Sequence, residues 1–235
     1  MNIALFGYGK MGRMLEKIGT ERGHTIIAKV DLDTDVNQLD FDAIDVAIDF
    51  STPDAAFNNI SLCFEKGIPV VSGTTGWLAK YEEAIALCSA KNGAFIYGSN
   101  FSLGVNLFFE LNQRLAQMMN GFKDYHAHME EIHHVHKIDA PSGTAITLAE
   151  GIIANSDYSG WQLVGAHPDE IAITSIREGE VPGTHIIKYD SDVDSIEIKH
   201  TAHNRNGFAM GAIIAAEWLQ GKTGVYSMKD VLNLS

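Results

Sequence analysis

The sequence predicts an α/β protein in which a doubly wound parallel sheet is joined to a second α+β domain with a mixed or antiparallel sheet. Three observations predict this fold class. A short apolar strand runs directly into a glycine-rich turn and a helix within residues 2–19. Strand-like and helix-like segments then alternate as far as Tyr97, which is typical of parallel sheets. After residue 170 the strand candidates are separated by turns instead of helices, which favours antiparallel or mixed pairing.

The first glycine turn has the pattern of a dinucleotide-binding loop. The apolar strand Asn2–Phe6 is followed by Gly7-Tyr8-Gly9-Lys10-Met11-Gly12 and by a helix that extends to Gly19. In a Rossmann-type fold the three glycines permit a tight turn, close approach of the backbone to a pyrophosphate, and packing of the helix on the strand. The next strand, residues 24–30, leads to Asp31, whose carboxylate can accept hydrogen bonds from both ribose hydroxyls of an adenosine. The alternative interpretation is an ordinary turn between a strand and a helix.

Two further loops follow later strands of the same predicted sheet. One contains Gly73, Thr74, Thr75 and Gly76 after a strand at residues 70–71, and the other contains Gly98, Ser99, Asn100 and Phe101 after Ala94–Tyr97. Ligands of such sheets bind beyond the carboxyl ends of the strands, so we expect both loops to converge with the Gly7 turn. Taken singly, each loop is equally well explained as ordinary turn chemistry.

The chain from residue 103 predicts the second domain. An amphipathic helix at 103–120 places Phe108, Phe109, Met118 and Met119 in the core. A strand at 124–136, a helix after Ser142 and three later strands follow, and the later strands are Glu170–Arg177, Thr184–Asp190 and residues 195–200. A last helix, rich in alanine and isoleucine, is predicted at 206–220.

The segment from Glu130 to Ala145 carries the densest group of titratable side chains. Three histidines and a lysine lie between His133 and Lys137, and Ser142 has the position of a helix N-cap. A helix N-terminus offers unpaired N–H groups that suit a carboxylate, so the segment predicts an anion site with proton transfer beside it. The alternatives are a metal site, with ligands drawn from His126, His128, His133, His134 and His136, or a purely structural cluster. Lys137 argues against a metal because its ammonium repels a cation, and we expect no metal.

The overall composition restricts the possible partners and setting. A formal net charge of −13 disfavours nucleic acid, and an anionic substrate would need local cations such as His134, Lys137 and Arg205. No apolar run is long enough to span a membrane, and the first residues enter a strand instead of forming a signal peptide. Two cysteines in apolar helical patterns favour a reduced, cytoplasmic setting.

Residues Glu131 to Ala145 resemble the signature of the 4-hydroxy-tetrahydrodipicolinate (dihydrodipicolinate) reductase family, Glu-x-His-His-x-x-Lys-x-Asp-Ala-Pro-Ser-Gly-Thr-Ala, at every position. The resemblance implies NAD(P)H-dependent reduction of a cyclic dicarboxylate in the diaminopimelate route to lysine. It implies a cofactor domain at 1–102 and 206–235, and a substrate domain at 103–205 that also assembles a homotetramer. His133 and Lys137 would be the acid/base pair, with His134, Ser142, Gly143 and Thr144 binding substrate. The cofactor would contact Gly7 to Gly12, Asp31, Gly73 to Thr75 and Gly98 to Phe101.

Two departures from the family pattern concern the adenosine end of the cofactor. The glycine turn is one residue shorter than the commoner family form, with Lys10 in place of an arginine, and Leu32 stands where some members carry an arginine. Asp31 would repel the 2′-phosphate of NADPH, so we predict that NADH is favoured over NADPH. The alternative functions are another NAD(P)-dependent reductase of a small imino or oxo acid, or a nucleotide-sensing binding protein without turnover.

Overall fold

The computed structural model describes residues 1–164 and 167–234. The strands, in chain order, are β1 (Asn2–Phe6), β2 (Thr25–Val30), β3 (Val46–Asp49), β4 (Val70–Ser72), β5 (Ala94–Tyr97), β6 (His126–His133), β7 (Gly160–Gln162), β8 (Glu170–Arg177), β9 (Thr184–Asp190), β10 (Ser195–Thr201) and β11 (Gly224–Tyr226). The α-helices are α1 (Lys10–Glu21), α2 (Pro53–Glu65), α3 (Tyr81–Ala90), α4 (Leu103–Met119), α5 (Gly143–Ile153), α6 (Asn206–Leu219) and α7 (Met228–Val231). None of the helices in the described residues combines the length and apolar character that crossing a bilayer requires.

The chain forms two compact units, and the first contains Met1–Leu103 together with the chain from Asn206 onward. Its six strands pair in parallel in the order β11-β5-β4-β3-β1-β2. All four residues of β3 are buried, as expected for a central strand whose sheet has helices on both faces. One apolar cluster joins the sheet to α1 and α6, and the other joins it to α2 and α3. The parallel pairing brings the carboxyl ends of β1 to β5 to one edge of the sheet.

The second unit, Gly104–Arg205, contains a mixed sheet with the order β10-β9-β6-β8-β7. The central strand β6 is antiparallel to β9 and parallel to β8. Alternate residues of β6 are buried against α4 and α5, in a core that includes Met129, Leu148 and Ile187. The buried face is apolar at Ala127 and Met129, then becomes polar at Glu131 and His133. The end of β6 therefore presents buried ionisable groups next to the start of α5.

The predicted fold class and most elements are confirmed, and the exceptions have physical causes. The predicted strand at 124–136 ends instead at His133, because β8 ends at Arg177 and β9 begins at Thr184, leaving no strand to pair with later residues. His134 and His136 therefore lie in a turn instead of sharing a strand face with His126 and His128. The prediction that Met118 is a core residue is wrong, since 70% of it is exposed. The short elements β7, β11 and α7 were not predicted.

Candidate active site

The glycine turn after β1 has the close contacts that its sequence predicts. Gly7 has a φ of +90°, and a Cβ there would lie 2.1 Å from the carbonyl oxygen of Phe50. Gly12 packs closely on Gly7, because a Cβ on Gly12 would lie 2.3 Å from the Gly7 carbonyl oxygen. Gly9, at the N-cap of α1, has open space on its Cβ side. The turn is thus closed on the protein side and open at Gly9, where a ligand can approach the helix N-terminus.

A cavity of about 410 Å³ lies against this turn, inside the first unit. Its lining includes Gly7, Tyr8, Gly9 and Asp31, together with Phe50. The cavity therefore brings together the glycines and the carboxylate that the sequence assigned to a dinucleotide. Lys10, Met11 and Gly12, also predicted to bind cofactor, belong to the first turn of α1 and are not part of this lining.

Two cations, Lys29 and Arg13, lie beside Tyr8 of the cavity lining and are engaged with other groups. The Lys29 ammonium lies 2.5 Å from one carboxylate oxygen of Glu16, and the Tyr8 hydroxyl donates a hydrogen bond to the other oxygen. The hydrogen bond to Glu16 raises the pKa of Lys29, and the same bond lowers the pKa of Glu16. Lys29 and Arg13 also lie over the Tyr8 ring, 4.9 and 5.4 Å from its centroid. Leu32 is 88% exposed and contributes no charge.

The loop at Gly73 to Thr75 is built around a buried carboxylate. Asp49, with no exposed surface, accepts hydrogen bonds from the hydroxyls of Ser51, Ser72 and Thr74 and from the amide of Asn59. Burial raises the pKa of Asp49 despite these bonds. The Thr74 hydroxyl also accepts the N–H of Ser51 at 2.8 Å. The side chain of Thr74 is therefore occupied within the protein, whereas Thr75 is exposed.

In the loop at Gly98 to Phe101, Phe101 is a core residue. Its side chain is 1% exposed, and its ring centroid lies 6.0 Å from that of Phe50. Asn100 accepts the N–H of Ser102 through its side-chain oxygen at 2.9 Å, while Ser99 is exposed. Thr74 and Phe101 thus shape the two loops, and a cofactor contact at either position would involve the backbone.

In the second unit, the histidine segment forms a strand end, a turn and a helix start, as predicted. The N–H of Lys137 bonds to the His134 carbonyl at 3.1 Å, which closes the turn after β6. α5 begins at Gly143, and the hydroxyl of its N-cap Ser142 accepts the N–H of Ala145 at 3.2 Å. The cap uses only one of the first N–H groups, so those of Gly143 and Thr144 remain directed out of the helix end. Gly143 is exposed and Thr144 partly exposed, so a ligand can reach both.

His133 is buried in contact with a carboxylate that stays ionised. Its Nδ1 atom contacts one carboxylate oxygen of Glu131, and Arg177 donates to the other oxygen at 2.8 Å. Burial alone would raise the pKa of Glu131, but hydrogen bonds from His133, Ser175 and Arg177 outweigh it and lower the pKa to about 2. His133 is 8% exposed, and a Cβ at Gly183, where φ is +154°, would lie 3.0 Å from its Nε2. Glycine at 183 therefore keeps space beside the second ring nitrogen.

Lys137 lies in the turn and is bound by a neighbouring carboxylate instead of by His133. Its ammonium donates to both oxygens of Asp139 at 2.8 Å. That bond lowers the pKa of Asp139. Arg177 donates to the Asp139 backbone carbonyl at 2.7 Å as well as to Glu131. A chain of hydrogen bonds thus connects Lys137, through the side chain and backbone of Asp139 and through Arg177, to the carboxylate that contacts His133.

His185 is a site residue that sequence reasoning missed. It lies on β9, directly opposite Glu131, and is 4% exposed. Its Nε2 atom is 3.0 Å from the Ser142 hydroxyl, and its ring meets that of His133 edge-to-face at a centroid distance of 5.2 Å. Burial, reinforced by the charge of His133, lowers the pKa of His185 to about 4. The strand alternation around Thr184–Asp190 would have placed it on the covered face, but no local motif marks it.

Two other predicted groups, His134 and Arg205, remain accessible to solvent. His134 is half-buried, with its ring 6.0 Å from that of His136, and Arg205 is exposed. Glu131, His133 and His185 offer atoms within 4.8 Å of one another, which is a spacing that a transition-metal ion can use. The guanidinium of Arg177 already balances the charge of Glu131, so we still predict that these residues hold no metal ion.

Comparison with known proteins identifies the family. The family models described as dihydrodipicolinate reductase, N-terminus and C-terminus, match residues 1–101 and 104–232. A 4-hydroxy-tetrahydrodipicolinate reductase of Christiangramia forsetii is 58% identical over 234 residues, covering 99% of this chain and 98% of that protein. The chain belongs to the dihydrodipicolinate reductase family. The predicted family and the predicted oxidoreductase class are thereby confirmed.

More distant members of the family agree with this result. A 4-hydroxy-tetrahydrodipicolinate reductase of Neisseria gonorrhoeae (strain NCCP11945) is 35% identical over 94% of this chain and 84% of its own. The solved structure of a dipicolinate-bound dihydrodipicolinate reductase from Paenisporosarcina sp. TG-14 has a TM-score of 0.77 at 21% identity, covering 97% of both chains. At that identity the solved structure supports the fold alone, with its parallel sheet and second mixed sheet.

Proposed function

We propose that this chain reduces 4-hydroxy-tetrahydrodipicolinate to tetrahydrodipicolinate with a nicotinamide cofactor, in the diaminopimelate route to lysine. The observation that carries the proposal is the buried cluster at the end of β6, where His133 contacts an ionised carboxylate beside the capped start of α5. An acid/base group and an anion-binding helix end in one place suit a substrate that carries two carboxylates and needs a proton. The 58% identical relative carries the name of this activity.

The start of α5 is the proposed site for one substrate carboxylate. The N–H groups of Gly143 and Thr144 and the positive end of the helix dipole favour an anion, and the Thr144 hydroxyl adds a donor. The Ser142 hydroxyl is 3.0 Å from His185 Nε2 and is used in capping, so Ser142 would act through the position of the helix instead of through its hydroxyl. His134 is placed to contribute a further donor to the dicarboxylate.

His133 and Lys137 are the proposed proton-handling groups. The 4-hydroxyl and a hydrogen of the neighbouring ring carbon leave together as water, and the reduction adds one hydride and one proton to the ring system. The nicotinamide supplies the hydride, and the protein orients the substrate and supplies the proton. Glu131 holds the Nδ1 side of His133, which leaves Nε2, beside Gly183, as the nitrogen that exchanges a proton with the substrate. Lys137 would exchange its contact with Asp139 for the substrate.

The first unit is the proposed cofactor site, with the pyrophosphate at Gly7 to Gly12 and the adenosine ribose at Asp31. The backbone of the loops at Gly73 to Thr75 and Gly98 to Phe101 would serve the nicotinamide end. NADH is the favoured cofactor because Asp31 pairs with two ribose hydroxyls and repels a 2′-phosphate. Lys29 does not offset this repulsion, since Glu16 holds its ammonium at 2.5 Å.

The protein is proposed to be a cytoplasmic homotetramer that assembles through its second unit. The sheet face opposite α4 and α5 carries Ile132, Ile176 and Ile186, which are partly exposed within one chain. Pairing such faces between copies would bury them. Light scattering is expected to give four times the mass of one chain, and Ile186→Glu is expected to lower it. A monomeric wild-type protein would contradict this assignment.

A coupled assay tests the function. Aspartate semialdehyde, pyruvate and the synthase that condenses them generate the unstable substrate in the cuvette, and oxidation of NADH or NADPH is followed by absorbance. We expect oxidation that depends on both the synthase and this protein, and at least a hundredfold lower kcat in His133→Gln. Rapid cofactor oxidation with other imino or oxo acids, and none with this substrate, would overturn the proposal in favour of a different reductase.

A further inference from the structure

His185 connects the two parts of the substrate site, although it lies outside the histidine segment. On one side its Nε2 atom is 3.0 Å from the hydroxyl of Ser142, the residue that caps α5. On the other side its ring packs edge-to-face on His133. His185 therefore contacts both the start of the anion-binding helix and the proposed proton donor.

The surroundings of His185 favour a neutral ring. Glu131 and His133 face it from β6, His200 from β10, Ser142 from the start of α5 and Lys137 from the turn. The carboxylate of Glu131 favours a positive charge on His185, but it is shared between His133 and Arg177, and burial together with the charge of His133 outweighs it. With His185 only 4% exposed, an uncompensated positive charge there would be costly.

A neutral ring also determines the direction of the hydrogen bond to Ser142. The Ser142 oxygen already accepts the N–H of Ala145, so its own hydrogen is free to be donated. If Nε2 accepts that hydrogen, the serine hydroxyl uses both its donor and an acceptor position, and the ring carries its proton on Nδ1. His185 Nδ1 has no hydrogen-bond partner among the described residues in either tautomer, so the serine hydroxyl decides between them. The opposite tautomer would give the serine oxygen two donors and leave its hydrogen without an acceptor within this cluster.

We propose that His185 is a positioning residue: as a neutral imidazole with its proton on Nδ1, it fixes the capped start of α5 against His133. The proposal rests on the proposed function, because it takes the start of α5 as the carboxylate site. Loss of His185 would let the helix start shift relative to the proton donor. The expected result is weaker binding of the dicarboxylate, with little change in cofactor binding.

The test compares three variants in the coupled assay. His185→Leu removes the bond to Ser142, and His185→Gln places an amide oxygen near the former Nε2 position. We expect His185→Leu to raise the substrate KM about tenfold with the NADH KM unchanged, and His185→Gln to recover most of the loss. His200→Leu, the matched control, removes the imidazole paired with His185 on the next strand and should leave the substrate KM unchanged. A lower kcat at unchanged substrate KM in His185→Leu would show that His185 does not position the carboxylate site and would overturn the proposal.

Two measurements keep the proposal testable if His185→Leu does not fold. Ser142→Ala removes the same bond from the other side, together with the cap on Ala145, and should raise the substrate KM at least as much. Nitrogen-15 NMR of the wild-type histidine side chains should show His185 neutral at pH 7 with its proton on Nδ1. A protonated ring, or a proton on Nε2, would refute the proposal. Inactive wild-type protein would instead contradict the proposed function, so the two failures are distinguishable.

Discussion

The substitution Glu131→Gln tests the electrostatic organisation of the site. Glu131 has no exposed surface, contacts His133 and binds Arg177 at 2.8 Å, and these partners lower its pKa from an ordinary value of 4.5 to about 2. At 1.36 kcal/mol per pKa unit, the ionised form contributes at most about 3 kcal/mol to the free energy of unfolding near pH 7. The amide keeps the shape but loses the charge, and it leaves Arg177 without its partner.

The sign of the pH dependence follows from the lowered pKa. The unfolded chain binds the proton more tightly than the folded chain, so the contribution of Glu131 is complete above pH 4.5 and is lost as the pH falls toward 2. We expect the difference in unfolding free energy between wild type and Glu131→Gln to be about 3 kcal/mol at pH 7 and about 1 kcal/mol at pH 3.

Urea unfolding at the two pH values measures this difference, with Glu150→Gln as the control. Glu150 is an exposed residue of α5, away from the proposed assembly face, where a neutral substitution should change stability by no more than about 0.5 kcal/mol. A Glu131→Gln protein as stable as the control at pH 7, or a difference independent of pH, would refute the reasoning. Either result would mean that the contacts with His133 and Arg177 do not stabilise the ionised carboxylate in the folded protein.

Three further predictions concern substrate and cofactor. Lys137→Ala should lower kcat by about 10² to 10⁴ with unchanged NADH affinity, because Lys137 is a proposed proton-handling group, and wild-type turnover would remove it from that role. Thr144→Val should weaken binding of a pyridine dicarboxylate, measured by calorimetry, by about 1–3 kcal/mol, since a charged ligand loses a donor. Unchanged affinity would place the carboxylate elsewhere. At low salt, kcat/KM should be higher with NADH than with NADPH. Glu16→Gln should reduce this preference, because it frees the Lys29 ammonium. A clear NADPH preference in the wild type would show that a cation reaches the 2′-phosphate.

Local sequence patterns predicted the elements and one half of the substrate site. The glycine turn after β1 and the Ser142 cap are determined by neighbouring residues, so their motifs were sufficient. Strand pairing determined what was missed. His185 and Arg177 reach the site only because β9 and β8 flank β6 in a particular register, which opposes His185 to Glu131 and Arg177 to His133. No single-sequence pattern specifies that register, since each strand shows only its own alternation.

The same reasoning explains why the predicted C-terminal end of β6 was wrong. The alternation of His128 to His136 continues past His133, but a strand also needs partners, and both neighbouring strands end there. The burial of Thr74 and Phe101 likewise could not be predicted from the sequences of their loops. Asp49, at the end of the neighbouring strand β3, determines the environment of Thr74, and α6, which comes much later in the chain, covers Phe101 through Gly211.

Transfer of a labelled hydride tests the central claim most directly. NADH carrying two deuterium atoms at C4 of the nicotinamide is supplied to the coupled reaction, and the dicarboxylate product is analysed by mass spectrometry. The proposed function predicts one deuterium in each product molecule, formed in step with cofactor oxidation and greatly slowed in His133→Gln. Product without deuterium, or oxidation of the cofactor without a reduced dicarboxylate, would contradict it.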